Sequence, residues 1–211
     1  MKPEYGPTLG RLLEPWWHRA SRPVHALVIG AGVAVVAIAV AVVLTLEPAS
    51  YSHGGSLPFS FTYRGLYKTT PEPGGFVRVE GHYPDGSLKY SYAVNPLTIQ
   101  PYSGEQSGAL PVYATAYSER LSARFPQVAL RGDGKTRVNK VTTYQILYET
   151  TIDGRRMYGR NVLLLPERAG ARTGVEIVML TAIGATSEVK EPGQVATTGV
   201  LLRPLKTFSF G

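Results

Sequence analysis

Residues 129–136 read Ala-Leu-Arg-Gly-Asp-Gly-Lys-Thr, the permissive form of a phosphate-binding loop with alanine in place of its first glycine. Such a loop works when a strand leads into it and a helix leads out, so that the helix N-terminus holds phosphate. Here Arg137-Val138-Asn139-Lys140-Val141 follow, a strand-like run with no parallel βαβ pattern around it. The segment therefore reads as a glycine-rich turn between strands, with Lys135 as a turn residue. The embedded Arg131-Gly132-Asp133 is three common residues in turn-forming company. Nucleophilic catalysis would need a base, and beyond the long apolar segment only His53 and His82 are available. No G-x-S-x-G elbow occurs, and the chain has no cysteine, which removes thiol catalysis and thiolate metal sites. Neither H-x-x-x-H nor D-x-D-x-D spacing is present, so no metal site, cofactor or catalytic residue is expected. Glycoside hydrolysis asks only for two carboxylates. Glu80, Asp85, Glu149 and Asp153 fall where solvated hairpin residues would, and are read as structural.

The densest charged feature is Arg155, Arg156, Arg160, Arg168 and Arg172. Guanidinium groups fork carboxylates and phosphates, which makes these five a candidate contact surface. The same residues would serve as charges that protect a hairpin edge from aggregation. The whole chain carries a formal net charge of +7, and residues 47–211 hold 18 Lys and Arg against 13 Asp and Glu. That excess is spread evenly, which suits anionic lipid or an anionic envelope polymer and does not suit a nucleic-acid groove. Twelve tyrosines beyond the apolar segment could form a recognition platform, but aromatic cross-strand pairs account for them as sheet-face residues.

These residues must be positioned by elements, and the first is decisive for location. From Val24 to Leu46 the chain runs 23 residues without Asp, Glu, Lys, Arg or Pro. A helix of that length spans the ~30 Å hydrocarbon core of a bilayer. A cleaved signal peptide has a shorter apolar core, and Glu47-Pro48-Ala49-Ser50 makes a poor cleavage site. Lys2, Arg11, Arg19 and Arg22 precede the span, while only Arg64 is basic in the twenty residues after it. The positive-inside rule then puts the N-terminus in the cytoplasm and the rest outside. The expected organisation is a basic arm over 1–23 with Trp16 and Trp17 at the headgroups, a transmembrane helix over 24–46, a linker over 47–58 and an outer domain over 59–211. Ala26, Gly30, Ala34, Ala37 and Ala41 share a helical stripe that would let two copies associate laterally.

In the outer domain, Phe59, Phe61 and Tyr63 alternate with Ser60 and Thr62 as a half-buried strand does. Runs 76–83 and 88–99 flank the turn Pro84-Asp85-Gly86-Ser87, and in the second run Leu88, Tyr90, Tyr92 and Val94 share a face. Runs 144–152 and 155–165 flank Asp153-Gly154, a type I′ pair. Residues 175–183 form an apolar strand covered on both faces. A helix is predicted over 112–125 with Tyr113, Ala116, Tyr117 and Leu121 inward, and a shorter one over 198–206. Residues 100–110, rich in Ser, Gly and Pro, read as a linker. The fold class is α+β, an antiparallel sheet flanked by helices.

An opening FSFTY strand, a hairpin, a helix, the long YQILYETTIDGRRMYGRNVLLLP hairpin, the EIVML strand and a terminal helix before TFSFG resemble the PsbP-like family over residues 57–211. The resemblance implies an α/β/α sandwich in a bacterial extracytoplasmic protein of a kind that docks on other proteins. It brings no shared catalytic residue. The family's P-x-x-W continuation after the first strand is replaced by Arg64-Gly65-Leu66-Tyr67. Two functions stay open: a membrane-tethered binding or scaffold domain contacting an envelope protein or anionic component, and an extracytoplasmic hydrolase with a carboxylate-based site.

Overall fold

The computed structural model describes residues 21–45, 47–100, 106–125, 127–167 and 171–211. The basic arm with Trp16 and Trp17, and Arg168 of the arginine set, lie outside the described residues. The chain divides into two units, Met1–Glu47 and Pro48–Gly211.

The first unit holds helix α1, Arg22–Thr45. Pro23 sits in its first turn, where the missing N–H has no partner to lose. Leu27, Ile29, Val33, Val35, Val36 and Ile38 are each more than half exposed, so apolar side chains point outward on every side. A water-soluble helix buries one such face. Ile29–Ile38 is the longest unbroken run of described side chains here, and among the described residues no helix is long and apolar enough to cross a membrane.

The second unit begins earlier than the sequence suggests. Residues 47–58, expected as linker, contain β1 (Ala49–His53), which pairs antiparallel with β2 (Phe59–Tyr63). The short β3 (Tyr67–Thr69) leads to β4 (Val77–His82) and β5 (Leu88–Thr98). Helix α2 (Gln106–Arg124) follows, then β6 (Ala129–Val138), β7 (Val141–Ile152), β8 (Arg155–Leu164) and β9 (Thr173–Ala182). A 3-10 turn at Pro192–Gln194, helix α3 (Leu202–Thr207) and β10 (Ser209–Phe210) close the chain. Seven strands form one sheet in the order β3-β4-β5-β9-β8-β7-β6, and β1-β2-β10 form a second. Every pairing is antiparallel.

Each face of the large sheet carries its own core. On one, Leu110, Ala114, Tyr117, Leu121 and Phe125 of α2 and its C-terminal end pack on Ile146, Tyr148, Leu163 and Val178. On the other, Phe59, Phe61, Val195, Leu201, Leu205 and Phe208 cover Val79, Tyr92, Val162 and Ile177. Strand β9 lies at the sheet's centre, which is why its near-continuous apolar run is buried on both sides. The sandwich anticipated from the sequence is thus realised unevenly. One outer layer is a 19-residue helix, while the other is a small sheet with a six-residue helix.

Local chemistry explains where the elements depart from expectation. Asp153 and Gly154 have φ of 49° and 76°, the two positive values that a type I′ hairpin demands. Residues 129–136 are strand, not turn; β6 takes up its glycines through a register shift between Leu130 and Gly132, and the chain reverses at Asn139, φ 45°. No helix follows, which removes the phosphate-loop geometry. Leu88 crosses to the helix-side core, away from Tyr92 and Val94, because the register shift opposite Gly81 and His82 leaves Lys89 unpaired. Helix α2 starts at Gln106, inside the expected linker, with Pro111 within it. Its inner face uses Ala114, while Ala116 is exposed.

Candidate functional site

The most concentrated chemistry lies where α2 meets the large sheet, among residues that the sequence did not single out. Tyr148 of β7, Asn161 of β8 and Glu176 of β9 point toward the helix, with Tyr117 and Arg124 of α2 above them. Gly159 makes room for this group: a Cβ there would stand 2.3 Å from the Tyr148 ring. The Tyr148 hydroxyl donates to Asn161 Oδ1 at 2.9 Å. Asn161 Nδ2 spends both hydrogens, on the Tyr117 oxygen at 2.7 Å and on Glu176 Oε1 at 2.8 Å. The Tyr117 hydroxyl in turn donates to Glu176 Oε1. Arg124 donates to Glu176 Oε1 at 3.3 Å through NH1 and to Glu72 Oε2 at 2.7 Å through NH2.

Burial sets the electrostatics of this network. Loss of water pushes the Glu176 carboxyl above its ordinary range, with the Glu72 charge acting the same way; Arg124, Tyr117 and Asn161 oppose it. Desolvation and then the Glu176 charge raise the Tyr117 hydroxyl, and the Tyr148 hydroxyl rises for the same two reasons. Glu176 and Arg124 border a hollow of about 230 Å³ with Glu72, Gly74, Gly75 and Asn95. A Cβ on Gly75 would meet Asn95 Oδ1 at 2.8 Å and the Glu72 carbonyl oxygen at 3.1 Å, so a larger residue would make these neighbours give way. Two carboxylates do converge here, but the Arg124 guanidinium stands between them. The arrangement brackets α2 onto the sheet; it offers no open gap in which two carboxylates could share a substrate.

The arginine set is not one surface. Arg155 and Arg156 are neighbours on β8 and so face opposite sides of the sheet. Arg155 pairs with Asp85 at 2.9 Å and lies over the Tyr83 ring, centroid at 4.5 Å. Arg156 pairs with Glu149 at 2.8 Å and is 69% exposed in its side chain. Arg160 is buried, and Arg172 is exposed. Besides Asp85, two more carboxylates expected to be solvated are not free. Glu80 is buried and pairs with Arg78 at 2.6 Å. Glu149 is gripped by Arg131 and Arg156, whose hydrogen bonds hold its carboxyl below the ordinary range. Ser187 and Lys190 have the S-x-x-K spacing of some serine acylases, but they sit exposed on an irregular turn and not on one face of a helix. Among the described residues no group of acids and histidines is placed to hold a metal ion.

No family model matches this chain, and no curated protein matches it. Two solved structures are similar to it at low identity. One is the cyanobacterial PsbP protein, CyanoP, of Synechocystis sp. PCC 6803, 14% identical with a TM-score of 0.48 over 78% of this chain and 93% of that one. The other is PA94 of Pseudomonas aeruginosa, a protein of unknown function, 14% identical with a TM-score of 0.33 over 64% of this chain and 83% of that one. Neither likeness assigns any residue a role.

Proposed function

We propose that the protein is a membrane-tethered binding domain, anchored by α1 and presenting residues 48–211 outside the cell membrane to an envelope protein or anionic envelope component. The observation that carries this reading is the character of α1. Its backbone is helical over 24 residues, about 36 Å at 1.5 Å per residue, and its described apolar side chains face outward all round. Water does not tolerate such a surface, whereas lipid requires it. Lateral association through Gly30, Ala34, Ala37 and Ala41 belongs to the same reading. The tether is tested by Val33→Lys combined with Val36→Lys. Each lysine at mid-span costs about 2.5–3.5 kcal/mol of insertion. The wild type should stay in the membrane pellet through alkaline carbonate extraction and the double variant should not; a wild type released by carbonate would end the proposal.

Binding is favoured over hydrolysis by how the carboxylates are used. Glu80, Glu149, Asp85 and Glu72 are each committed to an arginine, and Glu176 shares Arg124 with Glu72. Of the arginine set, Arg156 and Arg172 stay exposed to an anionic partner, at opposite ends of the sheet and with Arg156 also paired to Glu149, while Arg155 serves the hairpin ends.

A further inference from the structure

We propose that Arg160 forms the inner wall of a binding site for a small oxyanion, a phosphate or carboxylate group, entered over Gly134 at the β6 edge of the seven-stranded sheet. Arg160 is only 7% exposed. Among the described residues no carboxylate pairs with it. The contrast with Arg124 is direct: that guanidinium is less buried and has two carboxylates. Arg160 has instead the Val195 carbonyl at 2.9 Å on NH1 and the Thr136 hydroxyl at a long 3.4 Å on NH2. Its Nε has no partner at all. Neutral acceptors do not return the hydration that a buried cation gives up, and a fold that keeps such a cation without a counter-charge leaves room for one to arrive.

The register shows where that room is. Gly132, Leu147 and Arg160 lie in one row across β6, β7 and β8, Gly134 and Gln145 in the next, and Thr136 and Thr143 in the one beyond. Arg160 touches Thr136 two rows away, so its side chain runs along the sheet past Gln145 and its head stands beside Gly134. A Cβ on Gly134 would meet no atom within 4 Å. The space above it is open. Gln145 Oε1 is also buried without a partner among the described residues, beside the path of the Arg160 side chain. The guanidinium and the Thr136 hydroxyl then supply neighbouring donors, the combination that recognises an oxyanion. The glycine in the Gly-Asp-Gly-Lys-Thr run thus serves an anion without any phosphate loop: it leaves the mouth unblocked, and the charge comes from the neighbouring strand.

This site is independent of the tether, because its test is read in detergent micelles. Thermal unfolding of the full chain is followed at fixed ionic strength in inorganic phosphate, acetate or chloride. Phosphate or acetate should raise the midpoint saturably above the chloride value. Arg160→Met should lose that rise, and so should Gly134→Val, which stoppers the mouth while leaving Arg160 in place. The apparent affinity should fall by about tenfold or more in either variant. Gly134→Val decides the matter where Arg160→Met fails to fold. A rise with phosphate alone assigns the site to phosphate-bearing ligands, and a rise with both admits carboxylates. The proposal is overturned if neither anion exceeds chloride, or if the rise survives in Gly134→Val.

Discussion

Folding raises the pKa of the Glu176 carboxyl, and this gives it a pH signature of known sign. Its folded pKa is raised, chiefly by burial. Its contribution to stability is therefore intact below the ordinary carboxylate range and is lost as pH climbs through the raised folded value. Glu176→Gln keeps an acceptor for Tyr117 and Asn161 but cannot titrate. Chemical denaturation from pH 3 upward, roughly spanning the carboxylate range, should show the wild type falling in stability relative to the variant and then levelling. A difference that stays flat with pH would mean that Glu176 ionises as it does in the unfolded chain. Arg156 and Arg172 invite a different measurement. Exposed charges contribute within about 0.5 kcal/mol to folding, whereas interface arginines can dominate binding. Arg156→Glu with Arg172→Glu should leave the unfolding midpoint nearly unchanged and reduce sedimentation of the micelle-extracted protein with vesicles rich in anionic lipid, more so at low salt. Equal sedimentation of wild type and variant would move the contact elsewhere. The network residues were not legible in the sequence, because Tyr117, Asn161 and Glu176 lie far apart in the chain and only sheet register plus helix placement brings them together. Arg160 was legible as a charged residue and illegible as a buried one.

Elements with strong local chemistry were readable from sequence, and those decided by tertiary context were not. Strand β2 spans Phe59–Tyr63, the alternating run itself, and the type I′ hairpin forms at Asp153-Gly154. Both rest on interactions within a few residues. Strand β1 escaped notice because Ala49–His53 has little apolar pattern of its own and is held by pairing with β2 and by Tyr51 packing on Phe61, centroids 5.5 Å apart. Strand β6 was hidden by its glycines, which read as a turn in sequence and which this edge strand accommodates. The start of α2 was misplaced for a related reason. Pro111 resembles a first-turn proline, yet Ala109 and Leu110 before it are buried against the sheet, and that burial sustains the extra turn.

At the scale of the whole molecule the two units differ in how they treat apolar surface. Residues 48–211 bury two apolar cores and close them with polar networks, while α1 leaves Leu27, Ile29, Val33, Val35, Val36 and Ile38 uncovered. The anchor proposed for α1 would have a direction, and the charges flanking it would choose one. Four Lys or Arg residues precede the apolar run and one follows within twenty residues, so the N-terminus should lie in the cytoplasm. The folded unit would then face a compartment where cysteines tend to be paired, and it holds none, so its stability rests on the cores alone. Protease added to intact spheroplasts should remove residues 48–211 and spare an N-terminal tag until detergent opens the membrane. The dense pairing of β5 through β9 will slow cleavage, so a tag at the C-terminus gives the cleaner readout. A C-terminal tag that survives protease until lysis would place the domain inside, and with it any partner that Arg156, Arg172 or the Arg160 site could meet.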